Sequence, residues 1–160
     1  MVRRTIGGGG MRHHTNEISF ERPDWLLDRT NHLFTVAADG PSPFNVVLSH
    51  TPIEEETLDE MTDRILRDLE AALDDFAAGT SEEAVVAGER ARILQFEWQQ
   101  NGRRLYQRQA IVIQQRADGR ILHQIAATAS EDARQRHVAG FAGMLATVRF
   151  RGGEGDGRNI

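Results

Sequence analysis

Between Arg90 and Thr128 the chain reads RARILQFEWQQNGRRLYQRQAIVIQQRADGRILHQIAAT. Three runs rich in β-branched and aromatic residues, Arg90–Gln99, Arg104–Gln115 and Arg120–Thr128, are separated by turn residues, which is the pattern of strands rather than of a helix. Asn101-Gly102 is the dipeptide that a two-residue hairpin turn favours, because both central positions need positive φ. Ala117-Asp118-Gly119 marks a second turn. The segment therefore predicts an antiparallel meander.

Working outward, residues 57–76 carry Leu58, Met61, Ile65, Leu69, Ala72, Leu73 and Phe76 at three- and four-residue steps, one apolar stripe of a helix. Thr57 and Glu60 have capping-box spacing, Glu54 to Glu56 precede the positive helix end, and Gly79 supplies a stop. A second helix is expected from a Ser130 cap to about Ala146, with Val138, Phe141, Met144 and Leu145 inward. Further strands are expected at Glu17–Glu21, Asn31–Ala37, Phe44–His50, Ala84–Val86 and Val148–Arg151. The fold class is α+β: an antiparallel sheet with two main helices. Residues 1–15, with Gly7 to Gly10, read as a flexible leader in which Met11 is an alternative start, and 152–160 read as a glycine-rich tail. One domain over 16–151 remains.

Period-two reading puts Leu94, Phe96 and Trp98, together with Phe34 and Val36, on a helix-covered face. The other face is expected to carry Leu33, Asn45, Val47, Ser49, Leu105, Gln107, Gln109, Ile111 and Ile113. That mixture of aliphatic, amide and small groups is unlike an ordinary solvated face, and it fits a second core, a dimer seam or a recognition surface. An assignment with Tyr106, Ala110 and Val112 as the inner set of their strand is equally compatible with the sequence.

Composition removes several function classes. The chain of 160 residues has 19 basic and 24 acidic residues and a net charge of −5, which disfavours non-specific nucleic-acid binding. Every basic residue is arginine, so lysine Schiff-base and phosphate-loop chemistry are out. There is no cysteine, which excludes disulfides, thiolate catalysis, Cys-ligated metal and an acylated lipoprotein cysteine, and fits a reducing cytoplasm. The longest apolar run near the centre, Ala110-Ile111-Val112-Ile113, is far short of the ~20 residues that span a bilayer. His13, His14, His32, His50, His123 and His137 show no metal-ligand spacing, and no G-x-S-x-G or nucleotide-binding glycine motif is present. The adjacent carboxylates Asp74-Asp75 and Glu82-Glu83 read as solvated groups. Neither a catalytic set nor a cofactor is expected.

Several local patterns together resemble a known family. They are Trp25 with Asp28-Arg29-Thr30-Asn31 and Leu33-Phe34; Phe44–Ser49; Thr57-Leu58-Asp59-Glu60; Gly88; Phe96-Glu97-Trp98 leading to Leu105-Tyr106-Gln107-Arg108-Gln109; and Leu145-Ala146-Thr147-Val148-Arg149-Phe150. In order and spacing they resemble the DcrB-like domain, and within it the Eag-type chaperones of bacterial type VI secretion. The resemblance implies a PsbP-like fold, a curved antiparallel sheet with helices on one face, working as a cytoplasmic homodimer. It implies binding of the apolar N-terminal transmembrane helices of a secreted PAAR or Rhs effector, without catalysis, cofactor or membrane insertion. The contacts would fall on Leu33, Val47, Ser49, Leu105, Gln107, Gln109 and Ile111. Two alternatives stand beside it: a general partner-binding domain of the wider family, and a small-ligand domain using a titratable group such as His32 or His123.

Overall fold

The computed structural model describes residues 11–14, 19–22, 29–37, 39 and 42–151, with side chains described from Arg29 onward. Strands β3 (His32–Thr35), β4 (Phe44–Ile53), β5 (Asp74–Val86), β6 (Glu89–Gln100), β7 (Arg103–Arg116) and β8 (Gly119–Ser130) form one six-stranded sheet in the order β3-β4-β8-β7-β6-β5. All neighbours are antiparallel. Helix α1 (Leu58–Ala72) links β4 to β5; a single 3₁₀ turn (Glu131–Ala133) runs into α2 (Arg134–Ala146). A separate two-stranded ribbon pairs β1 (Met11–His14) with β2 (Ser19–Arg22), so part of the expected leader is extended, paired backbone. The expected tail, Trp25 and Asp28 lie outside the described residues.

The turn chemistry sets the frame. Asn101 and Gly102 have φ of 52° and 73°, the doubly positive turn expected from their dipeptide, and Gln100 pairs with Arg103 across it. A two-residue turn of this kind pairs even-numbered residues with odd-numbered ones. Leu94 accordingly faces with Gln109, Phe96 with Gln107 and Trp98 with Leu105. Directly paired residues share a face, which corrects the sequence reading: the amide and aliphatic set of β7 lies beside Leu94, Phe96 and Trp98, not behind them. Phe34 pairs with Val46 and belongs to the opposite face.

Both faces are covered, each by its own helix. Leu58 and Met61 of α1 join Leu94, Phe96, Trp98, Ile111, Ile113 and Leu122, with Ile65, Leu66 and Leu69 packed against them. On the other face Phe141 of α2 joins Val46, Ile93, Ala110, Ile125 and Ala127, and Val112 packs with Val86 and Ala91 nearby. The expected α+β sheet with two helices is present, but the helices sit on opposite faces rather than on one. Period-two alternation fixes which residues of a strand agree with each other; only hairpin register fixes the phase between strands.

Helix α1 begins as expected. Glu60 N–H donates to Thr57 Oγ1 at 3.2 Å and Thr57 N–H to Glu60 Oε2 at 2.8 Å, a complete capping box. Its end differs from the sequence reading. The helix stops at Ala72, and Asp74 opens a 13-residue strand where only Ala84–Val86 was expected. Leu73 and Phe76 still enter the α1-side core, with the Phe76 ring 5.4 Å from Phe96. The same apolar residues are buried by a different backbone, because Leu73 leaves the helix in extended conformation and Asp74 already pairs with Gln99 of β6; Asp75, at φ 50°, lies in the register shift that follows. Gly79 is therefore not a helix stop but a strand residue beside a register shift; a Cβ there would stand 2.6 Å from the Gln95 carbonyl oxygen. We expect Gly79→Ala to destabilise the fold by about 1–3 kcal/mol through this clash with backbone, read as a lower urea midpoint; an unchanged midpoint would contradict the close approach. The expected strand at Val148–Arg151 is absent: residues 148–150 are irregular, although Val148 and Phe150 pack onto the α2 face.

Candidate functional site

The α1 face is unevenly covered. Helix α1 crosses β5, β6 and β7 and reaches Leu122 and Ile53 at one end. Among the described residues, nothing packs over the rest of the β3-β4-β8 side of this face. One transverse row runs Leu33, Val47, Ala126, Gln109, Leu94 by direct pairing. Flanking it are Thr35-Asn45-Thr128-Gln107-Phe96 on one side and Ser49-Gln124-Ile111-Arg92 on the other. Leu33, Val47 and Ala126 join none of the core clusters of the described residues. Leu33 is 64% exposed; Val47, Ser49, Gln124, Ala126 and Thr128 are half-buried.

At about 4.8 Å between strands, Leu33 to Gln109 spans roughly 14 Å. An α-helix with side chains is about 10–12 Å across. A helix lying along the strands therefore fits this width, crossing the aliphatic row and the hydroxyl and amide groups of the rows before and after it.

The residues expected to bind a partner fall into two groups. Leu33, Val47, Ser49 and Gln107 line the open strip. Gln109, at 4% exposure, lies at its inner border and donates from Nε2 to Gln124 Oε1 at 2.6 Å. Leu105 packs against the α1-side core, and Ile111 is fully buried within it, so these two support the strip from below and beside. Ala126, Thr128 and Gln124 of β8 form the centre of the strip and were missed. The signal for them was available: the turn at Ala117-Asp118 puts Gln109 opposite Ala126.

Among the described residues, the ion pairs lie beyond the inner border of this strip, Arg92 at the end of one row included. Arg90 and Arg92 meet Asp59 and Glu83, and Arg104 meets Asp75 and Glu97. Bonding to Arg92 holds the Asp59 carboxyl below its usual range, and bonding to Arg90 does the same for Glu83. Asp75 and Glu83 thus have partners where the sequence suggested only solvation.

On the opposite face His50 and His123 are paired across β4 and β8 with ring centroids 6.4 Å apart. The His123 ring stacks on Phe150 at 4.9 Å, and its Nε2 lies 2.8 Å from Gln114 Oε1. Burial first, then the neighbouring His50 and Arg116, pushes the His123 pKa below its ordinary 6.5. The unfolded chain consequently binds the proton more readily than the folded one. Stability from this site is complete above about pH 6.5 and declines as pH falls through the lower folded value. We expect the urea midpoint to drop between pH 7.5 and 5 and to drop less in His123→Gln; equal slopes would rule this account out.

Among the described residues, no group of histidines and carboxylates could hold a metal ion, and no helix is long and apolar enough to cross a membrane.

Comparisons with known proteins agree with this architecture. The fold is similar to that of PA94, a protein of unknown function from Pseudomonas aeruginosa, with a TM-score of 0.74 and 22% identity over 90% of this chain and 99% of that one. It is also similar to LpqN of Mycobacterium tuberculosis, a protein involved in cell envelope biogenesis, with a TM-score of 0.60 and 18% identity over 72% of this chain and 67% of that one. A fainter likeness is to the cyanobacterial PsbP of Synechocystis, with a TM-score of 0.48 and 13% identity over 92% of this chain and 95% of that one. No curated protein matches the sequence. The DcrB family model matches residues 17–146, most of the chain, and the protein belongs to the DcrB family.

Proposed function

We propose that this DcrB-family domain is a non-enzymatic chaperone or adaptor that binds and shields the apolar N-terminal transmembrane helices of a type VI secretion effector and aids its loading. The carrying observation is the helix-wide strip of the α1 face, in which Leu33, Val47 and Ala126 sit outside every described core cluster. An apolar helix in water gains roughly 25 cal/mol for each Å² it buries, so a binder needs an aliphatic floor of this kind. Ser49, Thr128, Gln107 and Gln124 supply hydrogen-bonding groups for the small or polar positions of such a helix. The effector reading itself comes from the resemblance to the Eag-type branch; the strip supports it by fitting one helix. The proposal places the protein in the cytoplasm as a homodimer, without cofactor.

The test is co-expression with the protein encoded beside it, followed by affinity purification, repeated after deletion of that protein's first apolar helices. Retention that disappears with the helices is the expected result. A domain that holds no protein through apolar helices would instead be a partner-binding module of the wider family.

A further inference from the structure

The two ends of the open strip differ. Along β8 the α1 face carries Leu122, Gln124, Ala126, Thr128 and Ser130, because alternate residues of a strand share a face. At the Leu122 end the face is closed: Leu122 is 1% exposed and belongs with Leu58 and Met61 of α1 to one core cluster, against which Ile53 packs. At the Ser130 end it borders a hollow of about 1090 Å³. Ser130 pairs there with Leu105 of β7 and donates its N–H to the Pro43 carbonyl at 2.9 Å, and all three residues line the hollow. Asn45 and Thr128, which pair across β4 and β8 in the last row of the strip, line it as well, so strip and hollow are continuous.

Length decides what this continuity is for. The rows from Gln124 to Thr128 cover about 14 Å along the strands at ~3.4 Å per residue, whereas an apolar helix of about 20 residues, enough to cross a bilayer, is about 30 Å long. A helix laid on the strip overruns it by about half its length. Leu122 and the residues packed with it close one direction, and the hollow lies in the other. A helical turn about 11 Å across and about 5.4 Å long occupies roughly 500 Å³, so the hollow has room for about two turns.

The chemistry of the lining changes along the same path. Val47 and Ala126 give way to Asn45, Thr128 and Ser130, and then to the exposed charges of Arg103 beside the β6-β7 turn and of Glu131 and Asp132 in the 3₁₀ turn. The Ser130 side chain makes no capping bond to the turn that it precedes. Hydroxyl, amide and charged groups of both signs suit the polar stretch that adjoins an apolar helix, where charged and amphipathic side chains concentrate at a membrane surface. We infer that the hollow receives one end of the partner's apolar helix together with the polar residues adjoining it, an inference that rests on the strip as the helix-binding surface and gives the bound helix a single direction of exit, past Arg103 and Asp132.

The test is photo-cross-linking in the co-expressed complex, with a photoreactive residue at position 103 in one preparation, at 132 in a second and at 47 in a third. The expected result is that position 47 captures the apolar helix while 103 and 132 capture the polar residues directly adjoining one end of that same helix. Capture from 47 with none from 103 or 132 would overturn the role of the hollow and leave the strip standing. Capture from 103 or 132 of the middle of the helix, or of a second copy of this chain, would overturn it too. No capture from 47 while the partner remains bound would overturn the strip, and the hollow's role with it. Ser130→Trp, which fills the hollow where it meets the strip, is expected to lower recovery of the partner about tenfold, and recovery at the level of the unaltered chain would contradict the inference; the cross-links at 103 and 132 keep it testable should this variant misfold.

Discussion

Val47→Arg is expected to reduce recovery of a partner bound through its apolar helices at least tenfold, while the urea midpoint of the domain stays nearly unchanged. Val47 is half-buried, pairs with Leu33 on one side and Ala126 on the other, and belongs to no core cluster of the described residues. An arginine there can carry its charged end to water in the free protein. Under a docked helix that escape closes, and a guanidinium without a counter-charge costs more than the 1.4 kcal/mol that separates tenfold affinities. Val85→Arg, at a strongly exposed position of the far edge strand β5, is the matching control and should leave recovery unchanged. Equal loss from both variants would mean that added charge, rather than this strip, is responsible.

The second large effect concerns the support beneath the strip. Phe96→Ala is expected to destabilise the domain by about 3–5 kcal/mol, a third or more of the stability of many domains of this size. Phe96 is 2% exposed, touches Phe76 at 5.4 Å and Trp98 at 5.8 Å between ring centroids, and lies under α1. It also pairs with Gln107, so the void it leaves opens next to one flank of the strip. Urea titration measures the change; a loss below about 1.5 kcal/mol would show that β5 and α1 collapse into the space.

Much of this arrangement is legible in the amino-acid sequence. The Asn101-Gly102 turn, the capping box at Thr57 and Glu60, and the three long strands of the meander appear where residue chemistry puts them. What failed was phase. Alternation within Arg104–Gln115 is apolar on both sides at Ala110-Ile111-Val112-Ile113, so hydrophobicity alone does not choose its inner face. All four are buried, Ala110 and Val112 toward α2 and Ile111 and Ile113 toward α1. The two-residue turn would have decided the matter, since it pairs Leu94 with Gln109 and carries the whole set to one face.

The helix end after Ala72 illustrates a different limit. Leu73 and Phe76 satisfy the helical stripe and also satisfy the core from a strand, and the change of backbone depends on β6 being there to pair with. Tertiary pairing overrode a local pattern that was consistent with either state. The residues of the open strip could be named because they share strand parity, but their availability could not: Leu33 and Ile111 look alike in sequence, and one is 64% exposed while the other is fully buried. Coverage by α1 makes that difference, and it is set by the third dimension.

The most direct test of the central claim is photo-cross-linking from single positions in the co-expressed complex, with a photoreactive residue at Val47 in one preparation and at the exposed Val138 of α2 in another. Cross-links from position 47 to the partner's first apolar helices, with none from position 138, are the predicted result. Cross-links from 138 alone, or none from 47 while the partner remains bound, would contradict the assignment of the α1-face strip as the helix-binding surface.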